Sequence, residues 1–143
     1  MNHVRVAYRT WGGLDDNGAN AVVVCHALTG TPNVEQWWGP LLGSGRALDP
    51  DRDFIISSNN LGSCYGTTGP ADARSPFPRI TIRDIVSLQR GLVRHLGVKR
   101  IKLGIGGTLG GKPTQEGAPQ APRPVDAHRP GPTPAPPRPR HNP

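Results

Sequence analysis

The run Ile101-Lys102-Leu103-Gly104-Ile105-Gly106-Gly107-Thr108-Leu109-Gly110-Gly111 limits the choice of folds more than any other stretch of the chain. A short apolar segment rich in Ile and Leu reads as a buried strand, and it empties into a glycine-dense turn. Gly106 and Gly110 flank Thr108 in a G-x-[Ser/Thr]-x-G pattern. That spacing fits a nucleophile elbow, where a sharp strand-to-helix turn lifts one hydroxyl above a sheet and small neighbours let the backbone pass. A glycine-rich turn without chemistry satisfies the same residues. A β-branched Thr also suits the strained elbow backbone less well than Ser. Gly106, four residues, Gly111 and Lys112 mimic a phosphate loop, but Pro113 stands where a magnesium-binding hydroxyl is required and no helix pattern follows.

The residues upstream alternate strands with one helix. Val4 to Trp11 alternates apolar and polar residues, as a half-buried strand does. Ala21-Val22-Val23-Val24-Cys25 is continuously apolar, which predicts a strand covered on both faces. Residues 33–50 read as loop, anchored by Trp37-Trp38, and Asp53 to Ser57 as a further buried strand. A long polar, glycine-punctuated loop follows from Ser58 to Pro70. Thr81 to Leu96 is the clearest helix. Thr81 and Asp84 can close a capping box, Ile82, Ile85, Val86, Leu92, Val93 and Leu96 share one stripe, and Gly97 can end it. Strands alternating with a helix predict a parallel α/β sheet.

Composition divides the chain in two. Residues 112–143 hold eleven of the seventeen prolines, and Val125 is their only large apolar residue. Such a segment buries too little apolar surface to offset its ordering entropy, so it is expected to be disordered. Of the net charge of +7, the segment supplies +3. The basic residues are scattered, with neither a helical stripe nor interleaved aromatics, so a solvated surface explains them and nothing marks a nucleic acid as partner. No stretch is long and apolar enough for a membrane span. Cys25 and Cys64 lack any metal-type spacing and sit in apolar or glycine-rich sequence, so both are expected to be buried free thiols in a reducing, cytoplasmic setting.

His26, directly after the second strand, is expected to be a hydrogen-bonded structural histidine, and His95 a surface residue in the last helical turn. Asp126 and His128 offer an acid and a base. A proline-rich segment would not hold them to catalytic tolerance, so their presence is read as chance.

Several blocks in order carry a resemblance. They are Ala7-Tyr8-Arg9-Thr10-Trp11-Gly12, Cys25-His26-Ala27-Leu28-Thr29-Gly30, Ser58 to Pro70, Phe77 to Asp84 and Ile105 to Gly111. Together they resemble homoserine O-acetyltransferases of the α/β-hydrolase superfamily. The resemblance implies an α/β chain with a partial α/β-hydrolase fold over residues 1–111, its mostly parallel sheet ending at the elbow, before a disordered tail over 112–143. It implies ping-pong acyl transfer in methionine synthesis, with acetyl-CoA and homoserine as small-molecule substrates, no bound cofactor and no metal. Thr108 would be the nucleophile, and the backbone N–H groups of Leu28 and Leu109 the oxyanion hole. Full-length members are expected to be homodimers.

The family pattern has Ser at Thr108, and the likeness stops at Lys112, about a third of the way through such an enzyme. The superfamily's acid and base follow later strands, so this chain is expected to be a truncated fragment that does not turn over, its elbow strand left as an exposed apolar edge. The switch to Pro, Arg, Ala and Gly reads as a GC-rich frame out of register after a frameshift or premature stop. The rival reading is a non-catalytic binding protein that uses Pro119-Gln120-Ala121-Pro122 and Pro134-Ala135-Pro136-Pro137 as P-x-x-P ligands. Acetyl against succinyl donors and homoserine against serine acceptors stay open.

Overall fold

The computed structural model of this chain describes residues 3–27, 30–72 and 76–107, and the backbone of 127–130. Its elements are β1 (Tyr8–Trp11), β2 (Ala21–Cys25), α1 (Val34–Trp37), β3 (Phe54–Ser58), α2 (Ile82–His95), β4 (Ile101–Gly106) and β5 (Ala127–Pro130). One sheet of strand order β1-β3-β2-β4-β5 joins them, parallel throughout except for β1, which runs antiparallel to β3.

Alternation along the strands assigns the two faces. Ala21, Phe54 and Ile56 point to the face covered by α2, where they pack with Val93 and Val98. Val22, Val24 and Ile55 point the other way and pack with Val34 and Leu48, under a margin of Trp11, Trp37, Trp38, Leu103 and Ile105. Because β2 lies between β3 and β4 with both faces covered, an apolar run without polar alternation is what its position demands.

Helix α2 is delimited by its own local chemistry. Thr81 Oγ1 accepts the N–H of Asp84 at 3.2 Å, and the Asp84 carboxylate accepts the N–H of Thr81 at 2.8 Å, which closes the capping box. At the other end Gly97 takes φ +81°, Gly97 N–H donates to Arg94 and Val98 N–H to Val93. This is a Schellman ending, and it carries Val98 into the core beside Val93.

The hydrogen bonds from the Thr81 hydroxyl, and then from its backbone N–H, hold the Asp84 carboxyl below the usual carboxylate value. A folded-state pKa below the unfolded one adds stability above the unfolded value and loses it as pH falls through the folded value. Acid titration followed by circular dichroism should therefore show a small loss of helix below the ordinary carboxylate range. In Asp84→Asn that acid-dependent part should vanish.

Four expectations need correction. The alternating stretch from Val4 enters the sheet only at Tyr8. Before it, Arg5 and Ala7 are bonded by their backbones to Thr67 and Thr68 of the long loop, so the loop rather than a strand satisfies them. Residues 33–50 contain α1, a turn of 3-10 helix over Gly39–Leu41 and a bridge between Leu42 and Leu48, because Val34 and Leu48 cover Ile55. Cys25 is buried, but Cys64 is exposed, since its polar loop has no apolar face to tuck it under.

The fourth concerns β4, which is not an open edge. β5 runs parallel along it from Leu103 opposite Ala127 to Gly106 opposite Pro130, so the absence of structure expected from 112 onward does not hold at 127–130. A buried strand's unpaired N–H and C=O groups recruit any extended segment within reach, and Pro130 sits at the strand's end, where its missing N–H does least harm. The remainder of 112–143, with the boundary at 111 and both P-x-x-P stretches, lies outside the described residues.

Candidate functional site

Parallel pairing brings the carboxyl ends of β2, β3 and β4 to one edge of the sheet, where ligand sites of open α/β sheets collect. Register puts Cys25 opposite Gly106 and Val24 opposite Ser57. The residues that directly follow those ends, His26, Asn59 and Gly107, are therefore brought to one side of the sheet. The three residues assigned to chemistry from the sequence, Thr108, Leu28 and Leu109, lie outside the described residues. Their flanks do not.

His26 is fully buried at the root of the first segment. Its Nδ1 lies 2.7 Å from the Ala27 carbonyl oxygen, which also accepts the N–H of Gly30 at 2.9 Å. Its Nε2 lies 3.0 Å from Asn59 Oδ1. Asn59 is equally buried, donates through Nδ2 to the Cys64 carbonyl, and donates its backbone N–H to Ala7 at 2.8 Å. One imidazole thus ties the end of β2 to the loop after β3, and through it to the residues entering β1. The structural role expected for His26 is what the contacts show. His95 is exposed, as expected.

Two features were not legible beforehand. Trp38 stands beside the start of the glycine-rich loop, its Cζ2 3.9 Å from where a Cβ on Gly107 would be, so it bounds the site as well as anchoring the core. A cavity of about 230 Å³ opens nearby between Tyr8, Arg9, Thr31, Asn33 and Tyr65. Tyr65 is 70% exposed at φ +61°, a conformation that costs a side-chain-bearing residue energy, while Arg9 is paired with Glu35 at 2.6 Å. Glycine-punctuated sequence signals a loop there but not which residue takes positive φ. Among the described residues no cluster of His, Cys, Asp or Glu could hold a metal ion, and no helix is long and apolar enough to cross a membrane. His128 is the second residue of β5, opposite Gly104, and Asp126 lies outside the described residues.

A mostly parallel sheet with helices on both faces and a turn-rich carboxyl edge is part of an α/β-hydrolase fold, and solved structures of that class match it. Homoserine O-acetyltransferase from Bacillus anthracis matches with a TM-score of 0.77 at 27% identity, covering 85% of this chain and 39% of that one. The acetyl esterase MekB matches with a TM-score of 0.76 at 29% identity, covering 85% and 36%. In sequence, the homoserine O-acetyltransferase of Nostoc punctiforme is 54% identical over 123 residues, which is 80% of this chain and 35% of that protein. That of Salinibacter ruber is 46% identical over 135 residues, or 83% and 38%. The chain spans about a third of the length of the curated relatives it matches. No family model matches it.

Proposed function

We propose that the loop after β4 carries acyl-transfer chemistry of the homoserine O-acetyltransferase kind. The Thr108 hydroxyl attacks the thioester carbonyl of acetyl-CoA, the C–S bond breaks, the hydroxyl proton leaves with the CoA thiol, and the acetyl group stays as an ester. The side-chain hydroxyl of homoserine then takes it. The backbone N–H groups of Leu28 and Leu109 stabilise the negative charge as it develops. In this reading the product feeds methionine synthesis in the cytoplasm, and the whole protein is a homodimer. The observation that carries the reading is the 54% identity to the Nostoc punctiforme enzyme over 80% of this chain. The described flanks support it: a clamped turn after β2 and a glycine-rich exit from β4 stand side by side.

A second reading, hydrolysis of acetyl esters, is favoured by the likeness to the acetyl esterase. One experiment separates the two. The chain is mixed with acetyl-CoA, or with an activated acetyl ester, and the acetylated peptide is located by mass spectrometry. Acetyl on the peptide containing Thr108, discharged faster by homoserine than by water, is the expected result. Discharge indifferent to homoserine would favour hydrolysis, and folded protein that takes no acetyl from either donor would sink both readings.

A further inference from the structure

We infer that the cavity between Tyr8, Arg9, Thr31 and Tyr65 is a subsite for the adenine nucleotide end of a coenzyme A thioester, with tyrosine holding the base and Arg9 a phosphate. The choice of ligand rests on the acyl-transfer reading, but the cavity is independent of it. Among the described residues three large side chains with apolar bodies are exposed, and two of them, Tyr8 and Tyr65, line this one cavity. Tyr65 is held in place. The carbonyl before it, on Cys64, accepts Nδ2 of the buried Asn59, and two residues after it the buried Thr67 accepts the Ala7 N–H at 2.9 Å. Between these anchors Tyr65 takes φ +61° and keeps its side chain exposed, outside both core clusters, so its strain gains the core nothing.

The other side of the cavity is fixed as well. The Thr31 carbonyl accepts Trp37 Nε1 at 3.1 Å, and its hydroxyl accepts the Asn33 N–H at 3.3 Å. Arg9 is the one charged residue among the described residues that line the cavity. It gives Nη1 to Glu35 at 2.6 Å, which orients the guanidinium while using one of its five N–H donors. Exposed aromatic rings beside an oriented guanidinium suit a flat base that carries phosphate, since the rings can stack and the fork takes phosphate oxygens. A volume of about 230 Å³ suits part of a ligand rather than a whole cofactor. Tyr8 lies opposite Ser58, so the start of the antiparallel β1 is at the carboxyl end of β3, on the edge that carries the candidate site. Strand order puts it three spacings from β4, about 14 Å. Homoserine is too short to span that gap and react. A coenzyme A thioester carries its nucleotide on a long flexible arm.

Titration of the full chain with adenosine 3′,5′-bisphosphate, followed by nuclear magnetic resonance, reads the subsite without any acylation. Arg9→Gln should weaken binding roughly tenfold. Glu35→Gln breaks the same ion pair but leaves the guanidinium, so binding should be equal or tighter. A pair that mattered only as structure would lose binding alike in both variants, and that result would overturn the proposal. Tyr65→Phe should bind as wild type does, and Tyr65→Gly roughly tenfold more weakly. Glycine accepts φ +61° without strain, so the urea midpoint of Tyr65→Gly should be no lower than that of wild type. That variant keeps the test decisive if Arg9→Gln fails to fold. No binding by wild type, or binding that these variants leave unchanged, would overturn the subsite.

First-turnover acetylation ties the subsite to the reaction. With acetyl-CoA, Tyr65→Gly should need roughly tenfold more donor to reach half its maximal rate. With acetyl-pantetheine, which lacks the nucleotide, it should match wild type, because the binding contributed by the remote group is then absent from both. Equal losses with the two donors, or none with either, would overturn the nucleotide assignment and leave the acyl-transfer reading intact. Wild type that binds the bisphosphate through Arg9 and Tyr65 but takes no acetyl group would fail that reading and leave the subsite standing.

Discussion

Gly12→Ala is expected to leave most of the chain unfolded, with the loss read as a collapse of the urea midpoint. Gly12 takes φ +73°, where an L side chain is strained. A Cβ there would also stand inside 3.0 Å of the Asp53 and Pro50 carbonyl oxygens. Both neighbours are backbone, so no side chain can swing aside, and relief requires moving β1 away from β3 or shifting the turn that starts β3. Strain of about 1–2 kcal/mol with a backbone clash on top approaches the whole stability of a small domain, about 5 kcal/mol at the low end. Gly13→Ala is the control. A Cβ there meets nothing within 4 Å, so its midpoint should stay close to wild type. Equal midpoints for the two variants would show that the close approach at Gly12 does not exist in solution.

Replacing Thr108 should have the largest effect on chemistry. In the proposed reading Thr108→Ala removes the oxygen that takes the acetyl group, and label on that peptide should fall to background. Thr108→Ser should instead raise the first-turnover rate. An elbow holds its nucleophile in strained backbone, and a β-branched side chain tolerates this less well than Ser. If the difference in strain is about 1 kcal/mol, the rate should rise roughly fivefold. Rapid-quench acetylation measures both variants. Retained label in Thr108→Ala would move the nucleophile elsewhere; no gain in Thr108→Ser would mean that the backbone at this position is relaxed.

Where the controlling contacts are close in sequence, the fold was legible. Thr81 with Asp84, and Gly97 with Val98, set both ends of α2 through bonds spanning at most five residues, and both were read correctly. The apolar run 21–25 was read as a strand covered on both faces because nothing else hides five such residues. Illegible were contacts whose partners are remote. The exposure of Cys64, the capture of Arg5 and Ala7 by Thr67 and Thr68, and the burial of Val34 and Leu48 over Ile55 all depend on where distant segments land.

The candidate site divides in the same way. The glycine pattern around Thr108 and the turn residues from His26 to Gly30 could be picked out as motifs, since their chemistry needs small residues at fixed spacing. That His26 reaches across to Asn59, 33 positions away, could not. Nor could Trp38 beside Gly107, because an indole in a loop-like stretch carries no signal of what it faces.

By itself the sequence determined the alternation of strands and helix and the helix ends, all properties of periodicity, capping and glycine. Only the tertiary structure decided that β1 runs antiparallel at one edge, that β5 closes the other, and that one buried imidazole joins the loops after β2 and β3. Local bonds are encoded in neighbouring residues. Pairing between strands, and the partner of a buried polar ring, are settled by which distant groups remain unsatisfied when the sheet assembles.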